Sequence, residues 1–326
     1  MKILITGGVG FIGTNTAIYF AKKKHQITIV DNFSRKGVQI NAYFLKKNFP
    51  QIKIIKASVL EINKYLMELK KTNVVIHLAG QTAVTTSIKD PKNDFENNLL
   101  DSFTLLEALR KYNQKAIAIY SSTNKVYGDL SWMKKFTPVD ETAPLDFISP
   151  YGCSKGAADS YFLDYHRIFG LKTIVFRQSC IYGQHQLGIE DQGWVAHFTK
   201  QFLLKKPITI FGDGQQVRDL LYVEDLNEAY EKAIFNINKI SGQAINIGGG
   251  QKNAYSLLQV VDILKKEFGY SIPIKFDQMR IGDQRYFVSK NQKAKKLLNW
   301  QPKTSFLKGL QKLISWQKEN INSLII

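Results

Sequence analysis

The sequence predicts an α/β protein, with a doubly wound parallel sheet followed by a smaller α/β C-terminal lobe. Three observations lead to this fold class. Short β-branched segments alternate with amphipathic stretches through the first half, a glycine-rich turn follows the first segment, and the alternation becomes irregular after residue 177. Because parallel strands need a crossover connection, usually a helix, this alternation favours a parallel sheet over a set of hairpins.

Six segments of the first half have the β-branched composition of buried strands, and five stretches have apolar residues at helical spacing. The predicted strands are 2–6, 26–30, 52–56, 74–77, 116–120 and 173–176. The predicted helices are 11–23, 41–48, 62–70, 95–112 and 150–169. We assign residues 1–177 to one domain built from these elements.

The second half is less regular, because clusters of glycine and polar residues separate shorter elements. Its predicted strands are 208–211, 244–247 and 272–276, and its predicted helices are 195–204, 224–236, 257–268 and 306–319. We expect residues 178–326 to form mainly a smaller substrate lobe, with segments around 217–247 returning to the large sheet.

Composition limits the classes of function. The net charge is +18, but the lysines are scattered and no arginine-rich block accompanies them. We therefore expect an anionic small molecule as partner and no nucleic acid. Cys153 and Cys180 are too few for a disulfide framework or a zinc site, and no metal is expected. The chain has neither an apolar run of membrane-spanning length nor a signal-peptide pattern, so we expect a cytoplasmic protein without a membrane partner.

A glycine-rich turn between the first strand and the first helix predicts a dinucleotide site. Gly7, Gly10 and Gly13 have the spacing Gly-x-x-Gly-x-x-Gly, and Phe11 and Ile12 open the helix. The turn needs a residue that tolerates positive φ, and the backbone must approach a pyrophosphate without a Cβ in the way. The helix N-terminus then offers free N–H groups to the phosphates. These features predict a sheet of the Rossmann type.

The end of the second predicted strand indicates which dinucleotide is bound. Asp31, followed by Asn32 and Ser34, stands roughly 20 residues after Gly10, where a carboxylate accepts hydrogen bonds from ribose hydroxyls and repels a 2′-phosphate. Arg35 lies close by and could receive such a phosphate, but the carboxylate favours NAD over NADP. NAD is the predicted cofactor.

A Ser/Thr-rich strand end and a Tyr-x-x-x-Lys helix start predict the chemistry. Thr123 follows the fifth strand, and Tyr151 and Lys155 stand at the start of a later helix. Residues at i and i+4 share a helix face, so we expect the ammonium group of Lys155 to lower the pKa of the Tyr151 phenol. Tyr151 can then remove the proton of an alcohol that Thr123 also binds, while hydride leaves for the nicotinamide.

The motifs at 6–13, 77–80, 121–128 and 151–155 resemble those of the extended short-chain dehydrogenase/reductase family, the NAD-dependent nucleotide-sugar epimerases and dehydratases. The resemblance covers nearly the whole chain. Besides the residues already named for NAD, it implies cofactor contacts at Ser58, Val59, Leu78, Ala79, Gly80, Gln81, Asn98, Ser121, Tyr151, Lys155 and Gln178. It implies substrate contacts at Thr86, Thr123, Asn124, Ser179, Gln192, Gly193, Trp194, Val195, Arg218, Asp283 and Arg285.

The residues after the catalytic threonine separate members of this family. The 4,6-dehydratases carry an Asp-Glu pair there, because elimination of water needs an acid and a base, whereas this chain has Asn124 and Lys125. The strings at 121–129, 149–159, 191–195 and 216–219 most resemble the CDP-paratose 2-epimerases, also called CDP-tyvelose 2-epimerases.

This finer resemblance implies a CDP-sugar substrate, firmly held NAD, and inversion of carbon 2 through transient oxidation to a 2-keto sugar. It also implies a homo-oligomer formed through the helices at 95–112 and 150–169, and a role in surface polysaccharide such as O-antigen. A UDP-sugar 4-epimerase would use the same catalytic trio and stays an alternative. A dinucleotide-sensing protein without chemistry is a further alternative, which the intact Tyr151 and Lys155 disfavour.

Overall fold

The computed structural model describes residues 1–134 and 136–324. The strands are β1 (Lys2–Thr6), β2 (Gln26–Asp31), β3 (Lys53–Lys56), β4 (Val74–His77), β5 (Ile117–Thr123), β6 (Lys172–Gln178), β7 (Cys180–Tyr182), β8 (Ile208–Phe211), β9 (Val217–Tyr222), β10 (Gln243–Ile247), β11 (Ala254–Ser256), β12 (Ile274–Asp277) and β13 (Tyr286–Phe287). The α-helices are α1 (Phe11–Lys22), α2 (Val38–Asn48), α3 (Leu66–Lys71), α4 (Val84–Lys89), α5 (Pro91–Phe95), α6 (Asp101–Tyr112), α7 (Ser149–Phe169), α8 (Trp194–Leu203), α9 (Val223–Ile240), α10 (Leu257–Phe268), α11 (Gln292–Leu298), α12 (Phe306–Glu319) and α13 (Ile321–Leu324).

Seven strands form one large sheet in the order β10-β6-β5-β4-β1-β2-β3. Every neighbouring pair in it is parallel. The chain runs outward from β1 to β3 on one side and from β4 to β10 on the other, so the strand order reverses between β1 and β4. Such a reversal opens a crevice at the carboxyl ends of the strands, where ligands bind. The predicted doubly wound, Rossmann-type fold is confirmed.

Alternate side chains of the central strand fill two separate cores, one on each face of the sheet. Ile3 and Ile5 of β1 belong to a cluster with Phe20 of α1, whereas Leu4 belongs to a cluster with Phe162 of α7. Helices cover both faces, so the central strands are apolar at nearly every position and show no alternation. Helices α1, α2, α9 and α11 cover one face, and α3, α6 and α7 cover the other.

A smaller lobe follows β6. It contains the sheet β11-β9-β13, in which β7 also pairs with β9, and the parallel pair β8 and β12. Helices α8, α10 and α12 bury Phe202, Leu264 and Leu313 in a third core beneath these strands. Only Ser179 separates β6 from β7, so the chain passes from the large sheet directly into the smaller lobe. Within the described residues, no helix combines the length and apolar character needed to cross a bilayer.

Several elements differ from their predicted bounds. Strands β5 and β6 extend past their predicted ends to Thr123 and Gln178, and β10 joins the large sheet as its seventh strand. The predicted helix 62–70 is a 3₁₀ turn followed by α3, and the predicted helix 95–112 begins with a π turn at Glu96–Leu100.

Strands β7, β9, β11 and β13 are not among the elements predicted from the sequence. Strands β7, β11 and β13 have only two or three residues, and the six-residue β9 contains the charged residues Arg218 and Asp219, which break an apolar pattern. Both side chains are buried in the structure, at 6% and 0% exposure. Tertiary contacts therefore decide these strands, because their own sequences carry little apolar periodicity.

Candidate active site

The glycine-rich turn leaves room for a bound group at the carboxyl end of β1. Gly7 has a φ of +66°, and a Cβ on it would lie 2.7 Å from the backbone nitrogen of Ala79. Gly10 is the N-cap of α1 and provides no side-chain hydrogen bond. The N–H groups of the first helical turn can therefore bind a phosphate. That first turn is formed by Phe11, Ile12 and Gly13.

The end of β2 fixes a carboxylate beside this turn. The Asp31 side chain accepts hydrogen bonds from the backbone N–H groups of Val9 (3.1 Å) and Phe33 (2.8 Å). Burial raises the pKa of Asp31, and the two hydrogen bonds oppose this effect. Each carboxylate oxygen retains a lone pair, so Asp31 can still accept hydrogen bonds from a ribose.

The loop after β2 carries the neighbouring predicted cofactor residues. The N–H group of Ser34 donates to Asn32 Oδ1 (3.0 Å), which shapes the loop. Arg35 is partly buried, burial lowers its pKa, and it forms no ion pair in the described part of the chain. Ser58 and Val59 follow β3 at the adjacent strand end, where Val59 is buried.

After β4 the chain passes close to the glycine-rich turn. The N–H groups of Leu78 and Ala79 lie 3.2 and 3.3 Å from the Thr6 hydroxyl oxygen, which accepts their hydrogen bonds. A Cβ on Gly80 would lie 2.5 Å from Oδ1 of Asn98. That Oδ1 atom is buried without a hydrogen-bond partner among the described residues. An unpaired buried acceptor indicates that a bound group supplies the missing donor.

The residues at this edge of the sheet fit NAD. The turn offers backbone N–H groups for a pyrophosphate, Asp31 offers an acceptor for ribose hydroxyls, and Asn98 offers an unpaired acceptor. The turn follows β1 and Asp31 ends β2, two neighbouring parallel strands, and Asn98 reaches Gly80 after β4 from the π turn before α6.

The predicted catalytic trio meets next to this edge. Thr123 ends β5, Tyr151 and Lys155 lie in the first turns of α7, and all three side chains are buried. The Lys155 ammonium donates to the carbonyl oxygen of Ser121 (2.6 Å) and lies 4.3 Å from the centroid of the Tyr120 ring. The trio thus combines a phenol, a hydroxyl and an ammonium group in a site from which water is largely excluded.

The protonation of this trio differs from the expectation. Burial raises the pKa of Tyr151 to about 12, and the Thr123 hydroxyl opposes this only in part. Burial lowers the pKa of Lys155 to about 7, although the charges of Asp159 and Asp94 oppose the shift. The prediction that the ammonium lowers the phenol pKa is wrong for this structure. Loss of water dominates, and the Lys155 ammonium binds a backbone carbonyl instead of the phenol.

A buried ion pair supports the catalytic helix from β6. Arg177 donates two hydrogen bonds to the Asp159 carboxylate (2.9 and 3.0 Å), and the Ser122 hydroxyl donates a third (2.8 Å). Gln178, the next residue of β6, points to the opposite layer and donates to the Tyr230 hydroxyl (2.7 Å). Its amide nitrogen is therefore already engaged, while its carbonyl oxygen can still accept a hydrogen bond.

Two side-chain pairs join the loop after β5 to the loop before β13. Asn124 Nδ2 donates to Gln284 Oε1 (2.8 Å), and Lys125 Nζ donates to Asp283 Oδ1 (3.0 Å). Arg218 Nη2 donates to the same Asp283 oxygen (2.7 Å). We call Lys125, Arg218 and Asp283 the Asp283 cluster. Two cations against one carboxylate give this cluster a net positive charge.

The two cations control the ionisation of the shared carboxylate. Burial by itself raises the pKa of Asp283, but the charges of Arg218 and Lys125 outweigh it and bring the pKa down to about 2. Asp283 is therefore ionised across the whole neutral range.

Three predicted ligand contacts have side chains that also make contacts inside the protein. The Ser179 hydroxyl donates to Asp219, the Gln81 amide group binds the backbone of Ala83, and Val195 packs in the core of the smaller lobe. The Ser179 hydroxyl can still accept a hydrogen bond, so these contacts stay predictions.

The remaining predicted substrate residues lie at the rim of the site. Trp194 donates its indole N–H to Cys180 Sγ (3.3 Å) at the start of α8. Gln192 closes a tight turn before Gly193, which is the N-cap of α8. Thr86 is exposed on α4. Arg285 is also exposed and pairs with Asp213 (2.7 Å).

The sequence-based site omits several buried polar residues that surround the trio. Asp159 lies on the catalytic helix, Arg177 and Asp94 bind side chains of that helix, and Gln284 holds Asn124. A charged residue in an otherwise apolar strand, as in β6, is a signal that could have identified Arg177, because such a charge needs a buried partner. No comparable local signal marks the others.

Comparison with known proteins places the chain in a family. A family model described as the NAD dependent epimerase/dehydratase family matches residues 3–248. The CDP-paratose 2-epimerase of Salmonella typhi is 42% identical over 335 residues, which cover 97% of this chain and 99% of that protein. A putative UDP-glucose 4-epimerase of Methanocaldococcus jannaschii is 31% identical, over 98% of this chain and 99% of its own length.

A solved structure shows the same fold. The UDP-glucuronic acid 4-epimerase of Bacillus cereus, in complex with UDP-glucuronic acid and NAD, superposes with a TM-score of 0.88 at 30% identity. The match covers 98% of this chain and 99% of that chain. The predicted family, fold and NAD-linked epimerase class are confirmed. The chain belongs to the NAD-dependent epimerase/dehydratase family.

Proposed function

We propose that this protein is a CDP-paratose 2-epimerase, which inverts carbon 2 of CDP-paratose to give CDP-tyvelose. One observation supports this function above the others. The catalytic trio is intact, while Asn124 and Lys125 occupy the positions where dehydratases need an acid and a base, and both side chains are engaged by the smaller lobe. The identity with the Salmonella typhi enzyme supports the choice of substrate.

The proposed chemistry follows from the absence of an acidic hydrogen at carbon 2. No carbonyl group lies beside that carbon, so direct deprotonation faces a high barrier, whereas reversible oxidation avoids it. When bound, NAD would supply a reversible hydride acceptor and a positive ring charge, and inversion would need the hydride to return to the other face of the 2-keto sugar. Inversion therefore requires a sugar that can turn while its nucleotide is held.

The residues of this chain hold and move the proton. Tyr151 lies buried beside Thr123, and as a phenolate it would take the proton of the carbon 2 hydroxyl and later return it. The positive ring charge of bound NAD would favour that phenolate against the effect of burial. Thr123 would hydrogen-bond the same sugar oxygen. Lys155 is proposed to hold the ribose of the dinucleotide, since its ammonium group lies at the same strand end, bound to the carbonyl oxygen of Ser121.

The Asp283 cluster is the proposed anchor for the nucleotide. Its net positive charge suits a diphosphate. The Arg218 guanidinium already donates three hydrogen bonds, to Val217, Asp283 and Gln284, and keeps its Nε–H and one Nη1–H for a phosphate oxygen. Arg285 is exposed and held only by an ion pair with Asp213. Such a pair is weak, so Arg285 can turn to a diphosphate at little cost. Asn124 and Thr86 are proposed contacts of the sugar.

A UDP-sugar 4-epimerase is the second candidate, because the trio serves either carbon. It is supported by the relatives from Methanocaldococcus jannaschii and Bacillus cereus, whose names refer to UDP-sugars. The two candidates differ in the nucleotide and in the carbon that is inverted, and both differences can be measured directly.

The test uses the purified full chain. We expect denaturation to release NAD, and CDP-paratose and CDP-tyvelose to interconvert without an added oxidant, as followed by NMR. UDP-glucose and UDP-glucuronic acid serve as competing substrates in parallel reactions. Conversion of a UDP-sugar with no change in either CDP-sugar would transfer the proposal to the second candidate.

The protein is further proposed to form a homo-oligomer through α6 and α7. Phe103 on α6 and Ile168 and Phe169 on α7 expose apolar side chains. Neighbouring exposed apolar groups of this kind mark association surfaces. Light scattering on the purified protein is expected to give a mass above one chain, and a monomer at all concentrations contradicts the proposal.

A nucleotide-sugar substrate also favours action in the cytoplasm, in the synthesis of surface polysaccharide such as O-antigen.

A further inference from the structure

Asp94 is a fully buried carboxylate on α5 that the proposed chemistry leaves without a role. Its side chain is 0% exposed. Oδ1 accepts hydrogen bonds from Gln81 Nε2 (3.0 Å) and Asn98 Nδ2 (3.0 Å), and Oδ2 accepts one from the Ser154 hydroxyl (2.5 Å). These donors come from the loop after β4, the π turn before α6, and the catalytic helix α7. A buried carboxylate is costly, so its retention beside the trio calls for an explanation.

The charges around Lys155 identify the partner of Asp94. Asp159 is already compensated, because Arg177 binds both of its carboxylate oxygens. Asp94 forms no ion pair within the described residues, and it binds the hydroxyl of Ser154, the residue that precedes Lys155 in α7. The negative charges of Asp159 and Asp94, in that order, oppose the fall of the Lys155 pKa. Because Arg177 already pairs with Asp159, Asp94 is the carboxylate near Lys155 that has no cation bound to it among the residues that the structure describes.

The other titratable groups near Lys155 do not supply an unpaired negative charge. The titratable and charged side chains that face it are Asp94 from α5, His77 from β4, Tyr120 from β5, Arg177 from β6, and Tyr151 and Asp159 from its own helix. Burial lowers the pKa of His77 to about 3 and raises that of Tyr120 well above its usual value. Both are neutral at physiological pH.

We propose, on the basis of the proposed function, that Asp94 is a positioning residue of the active site. Its carboxylate compensates the ammonium of Lys155 and joins the segments that carry Gln81, Asn98 and Ser154. The same group thus links the cofactor side of the site, at Asn98, to the helix that carries the catalytic tyrosine and lysine.

The variant Asp94→Asn separates charge from shape. The asparagine Oδ1 can accept the hydrogen bonds of Gln81 and Asn98, and its Nδ2 can donate to the Ser154 oxygen. The Ser154 hydroxyl can then donate to the carbonyl oxygen of Tyr151, which already lies 3.3 Å away. The variant therefore removes the negative charge while it retains a full set of hydrogen bonds.

The first readout needs no substrate. Lysine labelled with ¹³C at Cε is titrated by NMR, and the resonance of Lys155 is identified by its loss in Lys155→Met. Removal of the negative charge disfavours the protonated ammonium, so Asp94→Asn should move the titration midpoint of Lys155 to lower pH by about half a unit or more. The control is Asp164→Asn, an exposed carboxylate on the same helix, which should leave the midpoint unchanged.

The second readout is the pH profile of kcat with the CDP-sugar. The basic limb, on which Lys155 loses its proton, should move to lower pH in Asp94→Asn, with KM for the sugar nearly unchanged. If this variant does not fold, Ser154→Ala removes one hydrogen bond that lowers the pKa of Asp94. Asp94 then protonates at higher pH, so the acid limb should move upward, and Ser160→Ala is the control from the same helix.

The outcomes distinguish this inference from the proposed substrate. An unchanged Lys155 midpoint in folded Asp94→Asn overturns the role of Asp94, even if the enzyme epimerises CDP-paratose. An unmoved acid limb in Ser154→Ala does the same if Asp94→Asn cannot be obtained. Failure of the wild-type chain to convert CDP-sugars overturns the substrate and leaves the NMR titration as a test of Asp94.

Discussion

Buried cations have different partners at two places in this protein, at Lys155 and in the Asp283 cluster. The Lys155 ammonium binds the carbonyl oxygen of Ser121 and lies over an aromatic ring, and burial lowers its pKa to about 7. In the Asp283 cluster, Lys125 and Arg218 instead bind one carboxylate directly, and their charges hold the pKa of Asp283 at about 2.

The difference shows how the fold separates proton transfer from binding. A carbonyl and a ring face compensate an ammonium less than a carboxylate does, so Lys155 can gain or lose a proton near neutral pH. The carboxylate of the Asp283 cluster stays ionised over the same range, and the cluster keeps its net positive charge. The first arrangement suits a group that responds to a neighbouring phenol, and the second suits a group that holds an anionic ligand.

The largest expected effect comes from a substitution of Tyr151 in the catalytic trio. Tyr151→Phe keeps the buried ring but leaves no group to take the proton of the sugar hydroxyl. We expect kcat to fall by about 10²- to 10⁴-fold, with the amount of bound NAD unchanged. NMR assays of CDP-sugar conversion measure the first quantity, and NAD released on denaturation measures the second. Tyr43→Phe, an exposed tyrosine on α2, is the control. Wild-type turnover in Tyr151→Phe would show that another group transfers the proton.

A smaller effect is expected from a substitution in the Asp283 cluster. Asp283→Asn leaves Lys125 and Arg218 without their shared carboxylate, and we expect the free energy of unfolding at pH 7 to fall by about 2 kcal/mol, the equivalent of the pKa shift of Asp283. KM for the CDP-sugar should rise more than kcat falls, since the loop that holds Asn124 and Arg218 loses its anchor. Urea unfolding and initial rates measure the two effects.

The loss of stability in Asp283→Asn depends on pH in a defined direction. The pKa of Asp283 is about 2 in the folded chain and ordinarily 3.8, so its contribution to stability is complete above pH 3.8 and disappears as the pH falls through 2. The difference between wild type and Asp283→Asn should therefore shrink across that interval. Asp262→Asn, which breaks an exposed ion pair with Lys265, should change stability little at any pH. Equal effects of the two substitutions would contradict the role given to the cluster.

The sequence predicts the NAD end of the site better than the substrate end. Gly7, Asp31 and Thr123 lie at or directly after the carboxyl ends of strands of one parallel sheet, so identifying the strands is enough to bring them together. Tyr151 lies on the helix that follows β5, α7. The pair of Asn124 and Gln284, in contrast, joins residues 160 positions apart. No local pattern predicts such a pair, because it depends on how the smaller lobe packs against the sheet.

By itself, the sequence determined the fold class, the dinucleotide turn and the identities of the catalytic trio, because β-branched periodicity, glycine spacing and helix spacing are local properties. Only the tertiary structure decided the direction in which the pKa values of Tyr151 and Lys155 are shifted. Burial raises the pKa of Tyr151 and lowers that of Lys155, the opposite of what their spacing predicted for the tyrosine. The tertiary structure also brought Asp283 to Lys125 and Arg218. Solvent exclusion and long-range charge depend on every element packed around a group, and a linear motif contains no record of them.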